Sequence, residues 1–281
     1  MVNTMHGVMG VSSNFEIADP TKIERLEGKV SDIEWQLRVE LAATYRLCAL
    51  YGWTDLVFTH ISAKLPDEAN ENGEMEERFL INPYGVLFDE VTASSLVKID
   101  LDGNIIGDSP YFINPAGFTI HSAVHAARKD VGCVLHVHTP YGVAVSVQKK
   151  GLRKYTQFSM VVHDDLAYHD YEGIALDHDE RERIVADMDA KNFLMLRNHG
   201  TLVVGGNCAL AFLRMYFLEQ ACKTQILAQA AGDKNLVNCG DELSANVHAQ
   251  GAGAFMPGMG DNLVWPGLMR KLAKNYSGWE Y

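Results

Sequence analysis

The sequence predicts a single α/β domain. Short runs rich in valine and leucine, bounded by Gly, Pro, Asn or Asp, read as strands. Longer stretches with apolar residues three and four apart read as helices, and the two kinds alternate along the chain. No internal repeat, low-complexity tract or clear linker interrupts the 281 residues, a length that one large core can hold.

Residues 1–30 have weak periodicity and small polar residues, which predicts a partly ordered N-terminal arm before a domain over 31–240. Ser31-Asp32-Ile33-Glu34 is a capping-box pattern opening a helix through Trp35, Leu37, Leu41, Tyr45 and Cys48, which Gly52 closes. Residues 57–64 read as a strand, 67–77 as a polar surface loop, and 78–82 as a short strand entering the turn Pro83-Tyr84-Gly85. Residues 96–100 alternate and end at the hairpin-type turn Asp102-Gly103-Asn104. A helix is expected over 117–129, a strand over 131–138 and a second helix over 141–148. Residues 155–171 follow neither period. Residues 180–190 read as helical, and Phe193-Leu194-Met195-Leu196 is a buried strand running into Arg197-Asn198-His199-Gly200. Leu202-Val203-Val204 leads to Gly205-Gly206, and Asn207 caps a long helix to about Ala231, where Gly232 stops it. Residues 241–281, with Trp265, Pro266 and Trp279, form an extension expected to pack on the domain or on a neighbouring subunit.

The net charge of −12 argues against nucleic acid as a partner, which needs concentrated Lys and Arg. Lys149, Lys150, Arg153 and Lys154 around Gly151 read as a solvated turn. No apolar run approaches the ~20 residues of a membrane span, and Met1–Phe15 lacks the pattern of a signal peptide. The five cysteines are odd in number and dispersed, which reads as reduced packing residues in a cytoplasmic protein.

The strongest chemical signal is His136-Val137-His138. Strand side chains alternate, so both imidazoles point one way while Cys133, Leu135 and Val137 point the other. Cα atoms two apart on a strand lie ~6.5–7 Å from each other, a spacing from which two imidazoles converge on one metal ion. By itself the pair is equally two polar residues on a wet edge strand.

Asn82-Pro83-Tyr84-Gly85, Gly117-Phe118-Thr119-Ile120-His121, His136-Val137-His138-Thr139-Pro140 and Asn198-His199-Gly200 together resemble the class II aldolase/adducin family. They keep the family's order and separations, and the resemblance covers roughly residues 35–235. It implies a three-layer α/β/α fold with a central, mostly antiparallel sheet, and a homotetramer with sites at subunit boundaries. In the family's sugar-phosphate aldolases, fuculose-phosphate aldolase among them, the H-x-H pair and the later H-G histidine bind a divalent metal. Here those positions are His136, His138 and His199, with zinc first and manganese or iron as alternatives. Three neutral imidazoles leave an open coordination position, which suits a catalytic metal. Gly200 is expected to let the chain turn sharply and bring His199 inward.

The chain also departs from those aldolases. Their proton-moving glutamate falls at Gly117, their phosphate-contacting serines at Pro115 and Ala116, and their phosphate-site Gly-Asn pair at Thr59-His60. The adducin-like branch shows the same Pro-Ala-Gly and Thr-His-x-Ser pattern, so this chain looks like a member of it. Proton transfer then points to His60 or His121, because an imidazole titrates near neutral pH; His125 is one turn further along. Tyr84, Gly85 and Gly117 are expected to line the substrate site, and Arg197, Lys64 or Lys98 to hold a substrate carboxylate. Tyr141 is a further phenolic donor, although packing explains it as well, and His163 and His169 with Asp164 and Asp165 read as a hydrogen-bonded loop. The leading reading is a metal-dependent carbon–carbon lyase, aldolase or decarboxylase, acting on a small hydroxy-carbonyl or hydroxy-acid that is not a sugar phosphate. The alternatives are a non-haem iron oxygenase on the same three histidines and a non-catalytic adducin-like interaction module.

Overall fold

Apolar side chains on both faces of the central strands demand cover on both sides. The computed structural model, which describes residues 17–69, 72–173, 180–256 and 258–281, meets that demand with three layers. The helices are α1 (Asp32–Leu50), α2 (Pro115–Ala127), α3 (Pro140–Ser146), α4 (Gln157–His163), α5 (Glu180–Met188), α6 (Cys208–Gln229), α7 (Asp241–Gly251) and α8 (Trp265–Asn275). The strands are β1 (His60–Lys64), β2 (Glu68–Ala69), β3 (Met75–Glu76), β4 (Phe79–Ile81), β5 (Val97–Ile99), β6 (Cys133–Val137), β7 (Leu166–His169), β8 (Phe193–Leu196) and β9 (Gly200–Gly205). One sheet has the order β5-β4-β1-β6-β9-β8-β7, antiparallel at every pairing except the parallel β7–β8.

The period of two decides which helices cover which face. Cys133, Leu135 and Val137 of β6, with Met195 and Val203, join a large core completed by α1, α3, α6 and α8. Val134, Leu194, Leu202 and Val204 point the other way, under Ile120 and Val124 of α2 and Ile184 and Met188 of α5.

Several local expectations change. The strand expected from residue 57 begins only at His60, because Asp55–Phe58 form a turn with Leu56 at φ 48°. The insert at 67–77 carries the small antiparallel hairpin β2–β3, rather than a bare loop. Residues 155–171 resolve into α4, opened by a Thr156–Ser159 capping box, and the edge strand β7. At the start of α1 only half of the expected box forms. Ser31 Oγ accepts from the Glu34 amide at 3.1 Å, but the Glu34 carboxylate is drawn inward to Arg38 at 2.8 Å and Lys98 at 3.0 Å. A buried carboxylate needs cations more than one exposed amide needs a partner.

Of the arm expected at 1–30, residues 1–16 lie outside the described residues. At the other end, the Trp279 carbonyl accepts from the Ala93 amide at 2.9 Å, and α8 buries Leu268 and Leu272 against α1. No helix among the described residues is long and apolar enough to cross a membrane.

The strand that carries His60 has an unusual end. The β1–β4 ladder stops at Ser62–Ile81, and the Tyr45 hydroxyl of α1 takes its place. It accepts from the Ile61 amide at 2.7 Å and the Asn82 amide at 3.2 Å, and it also bonds the Ile61 carbonyl. Tyr45→Phe leaves these buried groups without a partner and is expected to cost about 1–3 kcal/mol, read as a lower urea midpoint at unchanged slope. A midpoint equal to that of the parent protein would show that the hydroxyl does not hold this strand end.

Candidate functional site

The polar exceptions to the two cores collect in one place. His60 of β1 lies directly across from His136 of β6, and Ser62 across from Val134, so His60, Ser62 and His136 all face α2. The turn Arg197-Asn198-His199 joins β8 to β9, with Leu196 opposite Gly200. Asn198, at φ 59°, adopts the left-handed conformation, so the bend of the sharp turn expected at Gly200 is made two residues earlier. Gly200 matters for space: a Cβ there would stand 2.6 Å from the Val137 carbonyl oxygen and 3.0 Å from the His138 ring. The glycine lets the turn lie against the histidines, while asparagine supplies the bend.

His136, His138 and His199 form a triangle. Their ring centroids are 4.7–4.9 Å apart, and one nitrogen from each lies within 4.8 Å of the others. His136 Nδ1–H donates to the Thr201 carbonyl at 2.9 Å, and His138 Nδ1–H donates to the Asp55 carboxylate at 3.0 Å. Both donations leave Nε2 as a lone pair, and these two Nε2 atoms face each other at 2.9 Å. Two lone pairs at that distance repel unless a proton or a metal cation lies between them. Tetrahedral zinc with bonds of ~2.0–2.1 Å would hold two such nitrogens roughly 3.3 Å apart. Outer hydrogen bonds of this kind fix tautomer and ring orientation in metal sites. The donor set therefore fits a divalent cation.

Burial keeps His136 and His199 neutral. It holds His136 well below the ordinary imidazole range, with neighbouring His199 adding to the effect. Burial, with His138 nearby, lowers His199 to about 4 and His60 to about 4. Behind His60, burial and His60 itself hold His121 well below its usual value, and burial with the Lys64 charge lowers His125 to about 3.

A cavity of about 260 Å³ opens onto the triangle, lined by Phe58, His60, Asn114, Gly117, Ile120, His136, His138, Tyr171, Gly173 and His199. His60 is 5% exposed, and neither of its ring nitrogens has a hydrogen-bond partner among the described residues. His121 stacks behind it at 4.8 Å between centroids, outside the lining. His121 Nδ1 and His125 Nε2 meet the Ser62 hydroxyl at 2.7 and 2.8 Å. Gly117 is the floor beside His60, and a Cβ there would lie 2.1 Å from His60 Nε2.

Other expected residues are placed elsewhere. Tyr84 packs edge-on against Phe112 and Gly85 lies under Ile17, both outside the cavity lining. Tyr141 packs near Lys223. The three candidate carboxylate holders are committed to other groups: Lys64 to Glu77, Lys98 to Glu34 and Glu68, and Arg197 to the Gln148 carbonyl and the Tyr168 ring. Their partners come from elements distant in sequence, which a local reading does not see. His163 pairs with Asp164, Asp165 with Asn192, and His169 with Asp187. Two residues escaped the sequence reading: Asp55, behind His138, and Glu219, buried on α6 below the triangle. The visible sign of Glu219 is a lone carboxylate inside the apolar stretch 208–222. Burial raises it to about 7, against the lowering effect of hydrogen bonds from Thr139 and Thr201.

Comparison with known proteins agrees with this fold. A family model described as the class II aldolase and adducin N-terminal domain matches residues 39–226. A Caulobacter vibrioides protein, whose name places it provisionally in aldolase class 2, is 55% identical over 90% of this chain and 95% of its own. Mouse alpha-adducin is 45% identical over 72% of this chain, but only 27% of its own length is matched. Among solved structures, L-fuculose 1-phosphate aldolase from Glaciozyma antarctica superposes with TM-score 0.71 at 27% identity, covering 93% of this chain and 99% of that one.

The depressed imidazoles fix a pH dependence. Between pH 6.5 and about 4 the unfolded chain binds protons that the folded rings refuse, so metal-free stability is whole above that window and falls on acidification through it. Glu219 opposes this. Its contribution is present below its unfolded value of 4.5 and is lost as pH rises toward 7. The histidines outnumber it, so the urea midpoint of metal-free protein is expected to fall from pH 7 to pH 5, by about 1–2 kcal/mol for each buried ring. His125→Gln should fall less over the same interval, and an equal fall would remove His125 from the account.

Proposed function

The chain belongs to the class II aldolase and adducin family, and from that membership we propose that it is a divalent-metal-dependent carbon–carbon lyase. The substrate is a small hydroxy-carbonyl or hydroxy-acid, cleaved by an aldolase or decarboxylase type of reaction. The observation that carries the reading is the convergence of the His136 and His138 Nε2 atoms at 2.9 Å, each ring held at Nδ1 by an outer acceptor, with His199 closing the triangle. The cation, zinc by its all-imidazole donor set, supplies Lewis-acid stabilisation of negative charge developing on a substrate oxygen.

The remaining roles fall to the chain itself. His60 is the base in the cavity wall: it is neutral at pH 7, with one nitrogen carrying a proton and the other a lone pair, and neither is taken by a side chain among the described residues. His121 does not touch the cavity; braced by Ser62, it holds the His60 ring in place. Gly117 leaves the room that ring occupies, and Asn114 and Tyr171 offer polar groups to substrate. The cavity's modest volume and the absence of cationic side chains among its described lining residues suit a short substrate better than a sugar phosphate.

Phe58 and Tyr171 of the cavity lining stand exposed, as does Leu56 two residues before Phe58. In the proposed assembly, a homotetramer, a second copy covers them and completes each site. Free cysteines, four of them buried, suit a cytoplasmic setting. The likeness to alpha-adducin favours a second reading, an interaction module. Such a module has no need of three converging imidazoles, two of them held at Nδ1 by outer acceptors.

Elemental analysis of untagged protein is expected to find about one divalent cation per chain. His136→Ala and His199→Ala should lose it with an unchanged far-ultraviolet circular dichroism spectrum. Unchanged stoichiometry in both variants would sink the metal centre. Iron together with substrate-dependent oxygen consumption would replace the lyase with an oxygenase. Against a panel of hydroxy-acids and hydroxy-carbonyls, His60→Ala should keep metal and lose about 10²–10⁴-fold in turnover, and His121→Ala should lose turnover with metal retained. A metal-loaded protein that cleaves nothing in the panel, with His60 variants indistinguishable from the parent, would favour the interaction module.

A further inference from the structure

We propose that Glu219 of α6 is a positioning residue for the cation site, tying together the two backbone segments that bear the three histidines. The inference rests on the metal reading of those histidines.

Glu219 is 3% exposed, among Met215, Leu218 and Cys222. A carboxyl group there is costly unless donors meet it, and no Lys or Arg among the described residues pairs with it. Thr201 Oγ1 donates to it at 3.3 Å, with the Met215 sulfur as a second acceptor of that hydroxyl at 3.7 Å, and the nearby Thr139 hydroxyl lowers its proton affinity. The positions of the two threonines are informative. Thr139 follows His138 directly and caps α3 by accepting from the Gly142 amide at 3.1 Å. Thr201 follows His199 and Gly200, and its carbonyl receives the His136 Nδ1–H at 2.9 Å. Each threonine thus serves its own segment with one group, while its hydroxyl stands beside the same carboxyl.

Space confirms the convergence. A Cβ on Gly142 would lie 2.8 Å from Thr139 Oγ1, 3.0 Å from Glu219 Oε1 and 3.0 Å from Thr201 Cγ2, so all three crowd the volume that this glycine leaves open. The strut lies on the α6 face of the sheet, opposite the His60 face. It therefore sets how the β6 end and the β8–β9 turn sit relative to each other without touching substrate. A group used only for stability would be apolar here.

The test is the zinc affinity of metal-free protein, measured by competition with a chromophoric chelator. Glu219→Ala is expected to weaken zinc about 10–100-fold, the usual effect of losing an outer partner, and Glu219→Gln, which keeps a carbonyl oxygen for the threonines, to recover most of that loss. Leu218→Ala, a cavity in the neighbouring buried position, should lower the melting temperature and leave zinc affinity within about threefold, separating position from stability. If Glu219→Ala does not fold, Thr201→Val takes its place, with zinc binding about 5–10-fold weaker. Folded Glu219→Ala or Thr201→Val that binds zinc like the parent overturns the proposal and leaves the metal reading standing. A parent protein that binds no zinc overturns both.

Discussion

Everything at the site depends on the register of one ladder. Across β1, β6 and β9, His60, His136 and Leu202 stand in line. A slip of β6 by one residue would turn His136 into the α6 core and offer Leu135 or Val137 to the cavity. Both faces are buried, so the slip would strand a polar ring on one side and misplace apolar groups on the other. Gly132 pins the start of the strand. Its amide donates to Gly205 at 2.9 Å, its carbonyl accepts from Lys64 at 2.8 Å, and a Cβ there would meet the Gly206 oxygen at 2.3 Å. The site is accurate because the ladder has no second comfortable register.

The ladder would still be useless if the rings were charged or free to turn. His60, His121, His125 and His136 form a dry layer between the sheet and α2, and burial is the first cause of their low proton affinity. Neutrality supplies lone pairs, and outer partners choose which nitrogen carries them. His136 relies on a backbone carbonyl, which no side-chain substitution removes directly, whereas His138 relies on Asp55. Ser62 imposes a subtler rule. Its single hydroxyl hydrogen serves either His121 Nδ1 or His125 Nε2, and the other ring must donate to it. The tautomers of these two rings are therefore coupled, and through His121 the coupling reaches the back of His60.

What was legible in the sequence was what local periodicity controls. The alternation in 133–138 gave the faces of His136 and His138 correctly, and the cap at Asn207 placed the long helix. Motif order carried His199 to the same site, with Gly200 supplying the space and Asn198 the bend. Long-range pairing was not legible. Lys64, Lys98 and Arg197 looked available because charge says nothing about a partner drawn from another element. Residues 155–171 hid a short helix and a parallel edge strand, each too brief to show a period. Glu219 looked like one more helical carboxylate until the fold placed two threonines beside it.

The exchange between Gly117 and His60 bears on the choice of substrate. A Cβ at 117 and the His60 ring cannot occupy the same volume, so an imidazole from β1 and a longer side chain from α2 exclude each other. The sugar-phosphate aldolases that this chain resembles place a glutamate at the helix position. This chain fills the space from the sheet, with a base that burial keeps neutral. Replacing a carboxylate by a neutral imidazole makes a site with a divalent cation more positive by one unit of charge. In a low-dielectric cavity that difference is worth more than it would be in water, and it favours a substrate that brings its own carboxylate to the cation. With Lys64, Lys98 and Arg197 all turned to other partners, the charge that would attract such a substrate would come from the proposed metal centre. The geometry around His60 thus makes a hydroxy-acid the more natural occupant of the proposed site.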